Sequence, residues 1–296
     1  MSANVTETEL VTTLSPAAPR RPKRKRRVGA TIIAIVFSLI WVFPVYWMVI
    51  TAFKQRSDVM TPTPQFIPLN PTLQNFVSAV TQTSFLVNLR NSIIVVGLAL
   101  VFAMLIALFA SAALSRFRFK GRRTIMVLIL AVQMLPGTAL LIPQFLIFNE
   151  LNLLNKYIGL ILAYVAAVLP FSIWSLRGFF VTIPVEVEEA AKVDGAGTWT
   201  ILWKILFPLV VPGLISTSIF GFISAWNEYI LAYTFMKDTA MYTLPIWLVS
   251  FQIPGQPPDF AGQMAASVLF ALPVVIFFLI IQRHLVSGMS AGAVKG

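Results

Sequence analysis

The 296-residue sequence has no cysteine and a single histidine, His284. Disulfides, thiolate metal sites and cysteine nucleophiles are therefore excluded. One imidazole cannot build a histidine metal cluster, and no Ser-His-Asp set can be assembled around it. Charge is also scarce: 11% of residues are charged, and only 11 are acidic. Soluble globular chains carry about 25% charged residues. No G-x-x-x-x-G-K-[ST] phosphate loop occurs, so any ATP-derived energy must come from a partner. What fills the sequence instead is apolar. Hydrophobic residues make up 58% and mean hydropathy is +0.84. Such a chain needs a solvent other than water.

Six continuous apolar runs supply that reading: 28–53, 92–114, 124–148, 157–176, 208–235 and 262–281. Spanning a bilayer takes about 20 mainly apolar residues in a helix. Lipid leaves backbone groups no water, which favours helices, and the runs lack the short alternation of a β-barrel. The first run is longer than the apolar region of a signal peptide and is read as a retained helix. The predicted class is an all-α membrane protein with six spans over 28–285. A Thr-, Ser- and Pro-rich tail, 1–27, precedes them with too little apolar surface to fold, and a short tail, 286–296, follows. Pro136, Pro143, Pro170 and Pro273 are expected to bend helices.

Net charge is +11. The run Arg20, Arg21, Lys23, Arg24, Lys25, Arg26 and Arg27 directly precedes the first span, where basic residues set orientation and meet anionic lipid. Nothing else is built for nucleic acid. With six spans, one side holds 17 of the 22 basic residues and the other holds 5. That excess places both termini in the cytoplasm. The outer segments are 54–91 and 237–261, both proline-rich.

One cytoplasmic stretch, 183–208, is longer and better organised than a connector needs. Pro184 suits a first helical position, and Glu186, Glu188 and Glu189 complement the helix dipole. Ala190 and Ala191 favour helix, and Gly195 is a natural terminator able to take positive φ. A second helix is predicted from Thr198 to Phe207, with Pro208 opening the fifth span. Physically this is a docking element.

Glu189-Ala190-Ala191, three residues, Gly195, nine residues, Ile205, one residue, then Phe207-Pro208 resembles the EAA loop of binding-protein-dependent ABC importer permeases. Phe207 stands where that family usually has Leu. The chain resembles, over nearly its whole length after the tail, the maltose-type sugar permeases. Ala225-Trp226-Asn227-Glu228 and the ending Ser290-Ala-Gly-Ala-Val-Lys-Gly296 support the match. The resemblance implies a type I importer fold in a bacterial inner membrane. Glu188, Glu189, Ala190, Ala191, Asp194 and Gly195 would form the coupling helix on an ATPase. Two such ATPase subunits, holding ATP and Mg, would serve this chain and a second permease. An extracytoplasmic solute-binding protein would deliver sugar or oligosaccharide, meeting Gln252, Gly255 and Gln256. Ala291, Gly292, Val294 and Lys295 would reach between the ATPase subunits, although a frayed end is the bland alternative. No cofactor is expected on this chain itself.

Within the predicted spans Glu228 is the only acidic residue. Intramembrane carboxylates usually face the bundle interior or water. With Trp226 and Asn227 it either lines a sugar path, by stacking and hydrogen bonding, or makes structural contacts. Asn91 and Gln133 pose the same choice. A gradient-driven transporter would show paired charges and repeat-related broken helices, and an enzyme would show a catalytic set. Neither is present. Glycerophosphodiesters or polyols are the alternative substrate class.

Overall fold

A computed structural model describes residues 28–81, 84–251 and 258–292, and of residues 28, 30 and 283–292 the backbone alone. The basic tail 1–27, Gln252, Gly255, Gln256, Val294 and Lys295 lie outside the described residues. The first helix, α1 (Val28–Ala52), is exposed along 31–46. The short α2 (Arg56–Val59) and α3 (Gln74–Thr81) follow, then α4 (Phe85–Arg116). Next come α5 (Arg122–Gln133), α6 (Gly137–Glu150), α7 (Tyr157–Thr182) and α8 (Glu186–Val193). The helix α9 (Thr198–Ile201) runs through a wider i→i+5 turn, Leu202–Leu206, into α10 (Phe207–Trp226). The chain ends in α11 (Ile230–Phe235), α12 (Leu244–Val249) and α13 (Phe260–Gly292). No strand forms among the described residues.

Five helical stretches are long and apolar enough to cross a bilayer: Thr31–Ala52, Phe85–Arg116, Tyr157–Thr182, Thr198–Trp226 and Phe260–Gln282. The predicted third span differs. It is two helices, α5 and α6, meeting at 101°, so the count reaches six only when this broken pair is one span. The cause lies at Pro136. The residue before a proline is pushed out of helical geometry. The last turn of α5 tightens, with Met134 N–H donating to Ala131 O and Leu135 N–H to Val132 O. Pro136 is extended (φ −64°, ψ 125°) and opens α6. By contrast, Pro143, Pro170 and Pro273 lie inside helices that run past them.

The fifth span also differs from 208–235. It begins ten residues earlier, at Thr198, and stops at Trp226. Pro208 and Pro212 each remove a backbone donor. The wide turn just before them shifts the bonding, with Phe207 N–H donating to Leu202 O, so one helix runs through the boundary expected at Pro208.

The scaffold rests on α4 against α7, its most extensive helix pairing. Asn91, Val95, Ala99, Ala103, Ala107 and Ser111 recur every four residues on α4 and are all buried. Residues four apart share one helix face. Small side chains on that face let backbones approach, which is how helices associate when lipid supplies no hydrophobic drive. The same device joins α7 to α10. A Cβ at Gly213 would meet the Phe179 ring at 2.3 Å, and Ser175 and Thr217 hydroxyls bond across the pair at 2.8 Å. Two buried apolar clusters result, one beneath α8 and the other around Asn91, Trp226 and Phe235.

Candidate functional site

The helix α8 carries Glu186, Glu188 and Glu189 in its first turn and Lys192 in its last, both favourable to its dipole. Its end closes on itself. Gly195 N–H donates to Lys192 O at 3.0 Å, and Ala196 N–H donates to Ala191 O at 2.9 Å. Gly195 takes φ +83°, the left-handed value its position predicts. This is a Schellman cap, and it makes α8 a closed unit of two turns.

The six candidate coupling residues divide between two faces. Glu188 and Ala191 are buried, while Glu189, Ala190, Asp194 and Gly195 are exposed. The inner face is pinned. Glu188 pairs with Arg116 at the end of α4, with side chains only 10% and 12% exposed. The Arg116 guanidinium also donates to Ile183 O at 3.1 Å, where the chain leaves α7. One arginine thus ties α4, the exit of α7 and α8 together. Ala191 sits in the apolar cluster with Leu114, Leu176, Phe180, Ile183 and Ile201. The outer face is open and partly apolar: Val185 is 51% exposed and Val193 88%.

Beyond the Gly195 turn, α9 leads directly into α10. Trp199 stacks on Trp203, Trp203 packs on Phe207, and both indoles meet the edge of Phe109 on α4. Trp199 is 65% exposed. Exposed indoles at a helix start suit the membrane–water boundary. A wide turn inside a helix often marks a functional site. Here it joins α9 to α10.

Most of the candidate path residues already hydrogen-bond within the chain. Asn91 is fully buried and saturated. Its amide donates to Ala240 O and Tyr242 O, both at 2.8 Å, and its Oδ1 accepts from the Tyr157 hydroxyl at 2.7 Å. The next residue, Ser92, accepts at its Oγ from Leu244 N–H at 2.7 Å. These two side chains hold the 239–244 segment onto α4. Trp226 is buried, stacks with Phe222 and donates Nε1–H to Phe270 O at 3.3 Å. Glu228 lies past the end of α10, half-buried, and its two carboxylate oxygens accept from Leu231 and Ala232 N–H at 3.0 and 3.1 Å. It caps the start of α11, a use of its charge that sequence reasoning left as one of two choices. Asn227 is exposed, with its amide donating back to Ile223 O. Gln133 is exposed at the last turn of α5, beside the break. Ala291 and Gly292 are the last two residues of α13, which continues eleven residues past the predicted 281 boundary.

Arg116, Tyr157 and Ser92 are the residues sequence reasoning missed. Arg116 stood out only as an orientation charge. Its partner Glu188 is 72 positions away, and nothing local announces the pair. The four-residue stripe 91–111 on α4 was readable as small residues at a constant spacing.

The family described as "Binding-protein-dependent transport system inner membrane component" matches residues 99–291. The diacetylchitobiose uptake system permease protein DasC of Streptomyces coelicolor is 43% identical over 271 residues, covering 91% of this chain and 98% of DasC. The trehalose/maltose transport system permease protein MalG of Thermococcus litoralis is 35% identical over 274 residues, covering 92% and 98%. Among solved structures, a chain of a bacterial ABC transporter involved in the import of the acidic polysaccharide alginate superposes with TM-score 0.75. It is 22% identical, over 88% of this chain and 98% of that one. At that identity the likeness bears on fold, and the fold agrees.

Proposed function

Because the chain belongs to the family of binding-protein-dependent transport system inner membrane components, we propose that it is one permease subunit of an ATP-driven importer of sugars or oligosaccharides. A second permease completes the pathway, two ATPase subunits hold ATP and Mg, and a solute-binding protein delivers substrate from outside. Both chain ends face the cytoplasm. The substrate class rests on the similar permeases, which are named for diacetylchitobiose and for trehalose/maltose.

The observation that carries the coupling role is the two-sided character of α8. Its inner face is fixed to α4 and α7 through Glu188 and Arg116, and its outer face presents Glu189, Ala190 and Val193 uncovered. A partner that binds the outer face can move α8 as one body, since the Schellman cap keeps the helix closed. ATP-driven closure of the ATPase pair then pulls on α4 through Arg116 and on α10 through the continuous α9 helix. A flexible connector would absorb that displacement. Here it reaches two spans that pack on α7.

The test is reconstitution of both permeases, the ATPase and the binding protein in proteoliposomes. ATP-dependent uptake of diacetylchitobiose or maltose is the expected result. ATP-independent uptake driven by an ion gradient would contradict the coupling. Reporter fusions after Lys120 and after Pro257 should report opposite sides of the membrane.

A further inference from the structure

The stretch from the last residue of α4 to the first turn of α5 holds five cations, Arg116, Arg118, Lys120, Arg122 and Arg123, and no acid. Of these, only Arg116 forms an ion pair among the described residues, with Glu188. The other charges need not be idle. Arg122 and Arg123 converge with Arg177 of α7 around a cavity of about 430 Å³, also lined by Phe119, Gly121 and Met126.

The three guanidinium groups have donors to spare. Arg122 gives one N–H to Phe117 O and Arg177 gives one to Leu114 O, both at 3.4 Å. A guanidinium carries five N–H donors in a fixed fork that matches phosphate oxygens. Both backbone bonds are long, so nearly all the donors of these two forks remain for a ligand. The cavity also sits at the start of the twelve-residue α5, whose first turn contains no acid, so the helix dipole adds to the same field. Gly121 takes φ +91° and sets the turn that brings the α5 arginines back toward α7.

The rest of the lining is apolar. Phe119 and Met126 form that wall, and exposed Ile125, Val127, Leu128 and Leu130 continue directly along α5. A free phosphate has no use for such a surface. A phosphodiester carrying acyl chains fits both halves, and basic pockets between helices at the cytoplasmic interface favour anionic headgroups.

We infer that this cavity is a binding site for the phosphate of an anionic phospholipid of the inner leaflet, held by Arg122, Arg123 and Arg177 with its chains along α5. The sidedness rests on the orientation given above. The site lies at the same end of the bundle as the Arg116–Glu188 pair, so a bound lipid would brace the α4–α5 turn beside the coupling helix.

The test uses the complete purified transporter and native mass spectrometry, with phosphatidylglycerol, phosphatidylcholine and inorganic phosphate as probes. Lipid retention is read without any transport assay, so it stands or falls apart from the importer reading, which uptake tests in parallel. The expected result is one preferred phosphatidylglycerol per copy of this chain, reduced at least about tenfold in Arg122→Gln/Arg123→Gln, since each interfacial charge contributes several-fold. Arg118→Gln/Lys120→Gln removes the same charge outside the cavity and should retain the lipid. Single Arg123→Gln, which disturbs neither backbone bond, should show an intermediate loss. Equal loss in both double variants would overturn the site in favour of diffuse charge. Displacement by inorganic phosphate at matched concentration would assign the cavity to a free anion instead. Lipid bound only when the ATPase subunits are stripped away would make it a protein contact and overturn the proposal.

Discussion

In α8, one face is fixed by a buried ion pair and the other stands uncovered, whereas around 226–228 nearly every polar group already has a partner inside the chain. Both regions attract notice for the same reason: charge or amide groups set in an apolar chain. Their chemistry then diverges. The Glu228 carboxylate is spent on two backbone N–H groups of α11, and Trp226 is buried. The carboxylate of Glu189, by contrast, is exposed beside Ala190 and Val193. A group with unspent hydrogen-bonding capacity on a rigid support can recognise a partner. A saturated one maintains the shape of the molecule.

The largest expected effect breaks the fixed side. Arg116→Leu leaves Glu188 buried without its partner, a loss of about 3–5 kcal/mol for such pairs. Uptake should disappear, and limited proteolysis between α7 and α9 should accelerate, while Arg116→Lys restores part of both. Unchanged uptake and proteolysis in the leucine variant would show that the pair does not anchor α8.

The saturated side comes next. Asn91→Leu removes three hydrogen bonds, to the half-buried Tyr157 hydroxyl and to the Ala240 and Tyr242 carbonyls, at about 0.5–1.5 kcal/mol each. Thermal stability of the purified protein should fall, with no change in the substrate concentration at half-maximal uptake. A shifted half-saturation at unchanged stability would return Asn91 to the path.

Gly195→Ala sharpens the open side. Nothing lies within 4 Å of the added Cβ, so the cost is the left-handed φ alone, about 1–2 kcal/mol. Uptake should drop several-fold, and Gly195→Asn, which tolerates that region better, should recover most of it. Equal activity in glycine, alanine and asparagine forms would contradict a role for the cap.

The smallest effect is expected at Glu228→Ala, which removes a helix cap. Its cost is about 0.5–2 kcal/mol, typical of lost caps, seen as lower thermal stability with half-saturation unchanged.

Much of this arrangement was legible because its causes are local. Apolar run length gave the five single-helix spans, the fifth with shifted bounds, and the glutamates and glycine of 186–195 gave α8 and its left-handed turn, although Pro184 lies two residues ahead of α8 and not at its first position. The break at Pro136 was only half legible. A proline inside a helix bends, breaks or does neither, depending on what the preceding turn can rebond, and Pro170 and Pro273 do not break their helices. The continuity of α9 into α10 was hidden for the same reason: Pro208 marked a boundary between two helices, and a five-residue wide turn carries one helix through it. The least legible features were pairings distant in sequence. Arg116 with Glu188, and Asn91 with Ala240 and Tyr242, depend on tertiary register that no local pattern encodes.

If α8 couples this chain to an ATPase, its uncovered face meets that subunit and its inner face does not. The absence of native cysteine makes the measurement direct. Single cysteines at Glu189, Ala190 and Val193, and at Ala191 as the inward control, are introduced into the assembled transporter and treated with a short cross-linker that joins a thiol to a lysine amine of a neighbouring subunit. Capture of the ATPase is expected from the three outer positions, changing in yield between nucleotide-free and ATP-bound states, and none from Ala191→Cys. Absence of capture from all three outer positions in a complex that still transports would contradict that coupling.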